Sequence, residues 1–155
     1  MRWLSLWLVL TLGACATEPE RTDDRVYRDL GGQPGVERLV DHILDRLYVD
    51  ARIGFLFDPD NRPHFRERLV EQICFETGGG CSYTGLTMPE AHAGQEISAA
   101  EFEAFLDIFI VAMEDAGIDY GTQNRVLATF APMRPDIIQQ PPGDDTAAPE
   151  LPGLN

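Results

Sequence analysis

The sequence contains no lysine: all 12 of its basic residues are arginines, set against 26 acidic ones for a net charge of −14. An excess of this size repels phosphate backbones and anionic lipid headgroups. Nucleic-acid binding is thereby excluded as a role, and any attachment to a membrane has to be covalent or apolar. Histidine is scarce, at three residues (His42, His64 and His92), and cysteine is equally so. With no Cys-x-x-Cys spacing and no second cysteine pair, the ligand set of a structural zinc site cannot be assembled. A Gly-rich phosphate loop after a strand, a Gly-x-Ser-x-Gly elbow and a Ser-His-Asp order are all missing, which removes nucleotide-binding and serine-hydrolase readings. The most apolar stretch, Trp3 to Leu12, is far shorter than the roughly 20 residues that span a bilayer.

What remains is a chain of 155 residues, 44 % hydrophobic, which suits one packed domain with short appendages. Arg2 followed by the Trp3–Leu12 run and the small pair Gly13-Ala14 reads as a signal peptide over residues 1–14. The ending Leu12-Gly13-Ala14-Cys15 resembles the lipobox of bacterial lipoproteins, in which Cys15 becomes the lipidated first residue. Several acyl chains on one cysteine anchor a protein without help from charge. Ala16 after the cysteine resembles lipoproteins sent to the outer membrane, so a periplasm-facing location is expected. Residues 15–24 read as a polar tether, and 139–155, with Pro141, Pro142, Pro149 and Pro152, as a disordered proline-rich tail.

Between these lies a folded segment, residues 25–138. Cys74 and Cys81 fall within it, and an oxidising compartment would let them pair across Gly78-Gly79-Gly80. A structural bridge, two free thiols and a redox-active pair all remain open at this point. The periodicity is helical throughout, so the fold class is all-α. Val36, Leu39, Val40, Ile43, Leu44, Leu47 and Tyr48 form one continuous stripe at 3- and 4-residue spacing, and Phe102, Phe105, Leu106, Phe109, Ile110 and Met113 form another. The second stripe begins at a capping box, Ser98 with Glu101, and should stop near Gly117. A third helix is expected from about Arg62 to Thr77 through Phe65, Leu69 and Ile73. A fourth should run from about Asp119 toward Ile138, kinked or frayed by Pro132 and Pro135. Short helices are expected near Val26–Leu30 and Asp50–Phe57, with a loop from Gly78 to Thr87.

His92 stands out by its setting. Tyr83-Thr84-Gly85, then Met88, then His92-Ala93-Gly94 resembles the motif of the group I truncated haemoglobins. Tyr27-Arg28-Asp29-Leu30-Gly31-Gly32, Phe57, Gly78-Gly79 and Ala131-Pro132-Met133 match further marks of that family, and the likeness extends from Val26 to Ile138. The resemblance implies a two-over-two helical sandwich around one haem b, with His92 as the ligand of its iron. It implies that Phe57 packs on the porphyrin, that Tyr83 and Thr84 approach its edge, and that Arg68 offsets a propionate. Leu69, Phe105 and Met88 would line the cavity.

Where the family often places a tyrosine on the second helix, this chain has Leu44, and where glutamine is frequent on the third helix it has Leu69, with Phe65 one turn earlier. The ligand-binding face is therefore expected to be apolar. Three roles follow from the resemblance. The first is reversible binding of a diatomic gas (O2, NO or CO), supported by a reductant of unknown identity. The second is haem enzymology, nitric oxide dioxygenation or peroxide chemistry, with Arg68 or His64 assisting. The third is a haem-free helical interaction module. His64 is also a candidate second axial ligand.

Overall fold

The computed structural model describes residues 23–139. The signal peptide, most of the tether with its Cys15, and the tail beyond Gln139 lie outside the described residues. Seven α-helices follow one another without a strand among the described residues: α1 (Arg25–Asp29), α2 (Gly32–Leu47), α3 (Arg62–Glu76), α4 (Met88–His92), α5 (Ala99–Asp115), α6 (Tyr120–Phe130) and α7 (Arg134–Ile137).

Helix α2 is the centre of the molecule because its stripe is apolar along its whole length. Val36, Leu39, Val40, Ile43, Leu44 and Leu47 have no exposed surface, each burial stabilising the fold by about 2 kcal/mol. α2 packs against α3 on one side and α5 on the other. The chain reverses from α1 into α2 through Gly31 and Gly32, whose φ angles of +92° and +63° suit glycine. One turn on, a Cβ at Gly35 would collide with the Leu30 carbonyl, so glycine permits the close crossing. α3 is set alongside α2 by two ion pairs one turn apart, Arg62 to Asp45 and Arg66 to Asp41, each at 2.6 Å. A hydrogen bond from Arg66 holds the Asp41 carboxyl below its ordinary range. Exposed pairs of this kind contribute at most about 1 kcal/mol. Their effect is to fix register more than to add strength.

The capping box predicted at α5 is present: Glu101 accepts from the Ser98 amide at 2.8 Å, and the Glu101 amide donates to Ser98 Oγ at 3.2 Å. Two expected elements differ. Asp50–Phe57 holds a single 3-10 turn, Gly54–Leu56, and no α-helix. There the backbone turns so closely that a Cβ on Gly54 would come within 2.9 Å of the Leu47 carbonyl. The fourth long helix is broken into α6, a 3-10 turn (Ala131–Met133) and α7, with Pro132 and Pro135 each in the first turn of its short segment. Proline lacks the N–H that a continuous helix needs and is tolerated only at such starts.

Gln139, assigned from sequence to the tail, is docked. Its amide donates to the Ile97 carbonyl at 3.0 Å. Cys74 and Cys81 form a disulfide with Cα atoms 5.8 Å apart. Of the three sequence alternatives, two free thiols is the one that this pairing sets aside. It joins the end of α3 to the loop that follows, and a Cβ on Gly79 would meet both Cys74 Sγ (2.5 Å) and the Tyr27 ring (2.6 Å). Closing so short a loop restricts the unfolded chain by about 2.5 kcal/mol. The Cys74→Ser/Cys81→Ser double variant should therefore lose about that much unfolding free energy in urea titrations. Unchanged stability would show that the bridge is not a staple.

Candidate cofactor cavity

A cavity of about 820 Å³ opens between α3, α4, α5 and the α6–α7 segment, within the range of small-molecule and cofactor sites. Its walls are mainly apolar. α3 contributes Phe65, Leu69 and Ile73, and α5 contributes Phe102, Phe105, Leu106 and Phe109. Phe57 covers one side, its ring 5.4 Å from that of Phe65.

His92 enters from α4, a five-residue helix started by a Thr87/Glu90 capping box with proline in its first turn. The helix ends because Ala93 leaves helical geometry (ψ 123°) and Gly94 follows at φ +72°. The His92 Nδ1 lies 2.8 Å from the Met88 carbonyl. A carbonyl only accepts, so Nδ1 carries the proton in the neutral ring and Nε2 keeps its lone pair. This is the state in which imidazole binds a metal, with the backbone bond fixing tautomer and ring orientation.

The loop before α4 brings in Tyr83 and Thr84. The Tyr83 hydroxyl donates to the Leu86 carbonyl at 2.8 Å, burial pushes its pKa up, and its ring lies so close to Gly85 that no side chain fits there. Thr84 donates to Glu71 through its amide (3.1 Å) and its hydroxyl (3.0 Å). Burial alone would raise the Glu71 pKa, but these two bonds, with the charges of Arg68 and His64, hold it below the ordinary value. Glu71 in turn binds Arg68 at 2.8 Å, and Glu67 takes a second guanidinium nitrogen at 3.0 Å. Arg68 Nε is buried with no hydrogen-bond partner among the described residues. A donor left in that state costs about 1 to 3 kcal/mol.

The structure thus gathers His92, Phe57, Arg68, Leu69, Tyr83, Thr84, Met88, Phe65 and Phe105 around one cavity, and His64 stands on its wall as an exposed residue. Leu44 is the exception. It is wholly buried and absent from the lining, where Ile43 takes the place expected of it. Neighbours on a helix are turned about 100° from each other, so only one of the two meets the cavity. His42 does not reach the cavity.

Among the further lining residues that the sequence reading does not single out are Tyr48 and Gln72. Tyr48 was read only as the end of the α2 stripe; its hydroxyl donates to the Asp58 carbonyl at 3.4 Å. Gln72 lies three residues after Leu69, on the same helical face, and that spacing was the available signal. Its amide reaches only two thioether sulfurs, Met88 at 3.4 Å and Met133 at 3.7 Å, both weak acceptors. The wall is apolar in bulk but also carries polar side chains, Gln72 and Tyr48 beside Asn61 and Gln95.

The model of a family described as bacterial-like globin matches residues 25–139. The group 1 truncated hemoglobin GlbN of Mycolicibacterium paratuberculosis is 27 % identical over 112 residues, 72 % of this chain and 82 % of that protein. Its counterpart in Nostoc sp. is 25 % identical over 115 residues, 74 % of this chain and 98 % of that one. Among solved structures, the truncated hemoglobin of Tetrahymena pyriformis in its Fe(III) form has a similar fold, with a TM-score of 0.71 at 21 % identity, over 74 % of this chain and 98 % of that one. The hemoglobin of Chloroflexus aurantiacus superposes with a TM-score of 0.66 at 23 % identity and the same coverage. The matched segment takes in every helix that builds the cavity, and the chain belongs to the bacterial-like globin family.

Proposed function

We propose that this globin holds haem b in the 820 Å³ cavity and reversibly binds a diatomic gas, O2, NO or CO, while anchored as an exported lipoprotein through Cys15. The observation that carries the haem reading is His92, a residue of the cavity wall whose Nδ1 is tied to the Met88 carbonyl, which leaves the Nε2 lone pair for a metal. The other residues fit the same group. Aromatic walls from Phe57, Phe65 and Phe105 suit a flat macrocycle. The unpartnered Arg68 Nε suits a propionate at the cavity edge, as a charge-assisted donor. Haem bound there, held by His92, would supply an iron at which a diatomic gas binds reversibly. The protein's part is to hold the imidazole in one tautomer, to keep bulk water from the iron with the α3 and α5 side chains, and to offset carboxylate charge with Arg68. Export rests on the residues alone, the Trp3–Leu12 run ending in Leu12-Gly13-Ala14-Cys15.

Full-length protein expressed with adequate haem should show a Soret band that shifts on dithionite reduction and again on addition of CO. A chain free of haem under those conditions would overturn the proposal in favour of an interaction module. Mass spectrometry of membrane-fraction protein should find acyl chains on Cys15. Unmodified Cys15 would leave the haem reading standing and remove the anchor.

A further inference from the structure

The segment that follows His92 is irregular. Gly94 has φ +72° and Glu96 φ +53°, and Glu96 is the one positive-φ residue other than glycine among the described residues. Backbone in this state persists where its surroundings hold it there. Part of that hold is local, the Gln95 amide donating to the His92 carbonyl at 3.2 Å and its side chain to the Ala91 carbonyl at 2.8 Å, and the rest comes from a residue far along the chain. Gln139 donates from Nε2 to the His92 carbonyl at 2.6 Å, accepts at Oε1 from the Glu96 amide at 3.4 Å, and donates from its own amide to the Ile97 carbonyl at 3.0 Å. These bonds bracket residues 92–97. They act on an element with little else to fix it, since α4 has no fully buried residue and its main packing partner is α7, which leads directly to Gln139.

We infer that Gln139 is a positioning residue for His92, clamping the C-terminal end of α4 so that the imidazole meets its metal at a set height and rotation. The inference rests on the haem reading above for its consequence, though the clamp itself is a property of the polypeptide. Met88 anchors the ring from inside α4 and Gln139 anchors the same residue's backbone from outside. The ligand is thereby held at both ends.

Two variants of the full-length chain separate the contacts. Gln139→Leu removes both side-chain bonds. Gln139→Glu keeps an acceptor for the Glu96 amide but sets an oxygen against the His92 carbonyl. In haem-loaded protein both should release haem to excess apomyoglobin about three- to tenfold faster, the effect of losing the bond to the His92 carbonyl that the two variants share. Both should also shift the iron–imidazole stretching band of the reduced form. Asp136→Asn on α7 should change neither. Wild-type release rates and an unshifted band in both Gln139 variants would overturn the inference. If wild-type protein takes up no haem, the haem reading falls and amide exchange decides the clamp. The Glu96 amide should then exchange faster in Gln139→Leu but not in Gln139→Glu, and unchanged protection in Gln139→Leu rejects it.

Discussion

Replacement of His92 by alanine should abolish stoichiometric haem retention, while His42→Ala leaves it intact. Of the three histidines, only His92 combines a place on the cavity wall with a ring nitrogen already committed to a backbone carbonyl. His42 lies on α2 away from the cavity, and His64 is exposed and has no hydrogen bond fixing its ring among the described residues. Removing the imidazole takes away the one histidine of the wall whose ring a backbone carbonyl orients, leaving apolar contacts and the Arg68 donor. Haem content by pyridine haemochrome assay on the purified variants is the measurement. A His92→Ala protein with full haem content and an unchanged reduced spectrum would remove His92 from its assigned place. It would also direct attention to His64.

The second large effect concerns the gas. Because Ile43, and not Leu44, meets the cavity from α2, a hydroxyl aimed at the bound gas has to be introduced at position 43. Ile43→Tyr should slow dioxygen dissociation from the reduced holoprotein by about tenfold or more, the effect of one hydrogen bond of roughly 1.5 kcal/mol. Leu44→Tyr should leave the rate within about twofold. It should instead destabilise the fold by about 1 to 3 kcal/mol, because a larger ring is forced into a fully packed position. Stopped-flow dissociation and urea unfolding on the two variants distinguish them. If wild-type protein already releases dioxygen as slowly as Ile43→Tyr, then a donor on the wall reaches the gas. Gln72, with only thioether acceptors in the structure, is the first to test.

The long helices were legible because each carries a sustained 3- and 4-residue apolar period, to which α5 adds the Ser98/Glu101 capping box. α3 ends at Glu76, just before the triple glycine, and α5 runs from Ala99, after the Ser98 cap, to Asp115, two residues short of Gly117. The cavity residues of α4 and the loop before it were legible through the Tyr83-Thr84-Gly85, Met88 and His92 pattern, and Phe65, Arg68 and Leu69 on α3 through separate matches to family positions. What the sequence did not disclose has a common physical origin. Leu44 and Ile43 are equally apolar neighbours on one stripe, and periodicity assigns both to the interior without saying which part of the interior is hollow. Gln72 and Tyr48 are amphipathic side chains whose polar ends become meaningful only once the cavity is known. Gln139 was placed in the tail because the prolines just after it carry the compositional signal, whereas its own role depends on a carbonyl 47 residues earlier.

The absence of any fully buried side chain from α4 bears on how this protein ages. Local opening takes place where few apolar contacts must be broken, and its free energy lies well below that of global unfolding. By this criterion α4 should open before α2, α3 and α5 lose their packing, acting as a flap. Cofactor escape then proceeds through the flap and not through loss of the whole fold. The lifetime of the loaded state and the melting point of the scaffold become separate quantities. Core substitutions that raise thermal stability should leave the shelf life of the pigment nearly where it was, while changes at the two ends of one short helix should lengthen or shorten it.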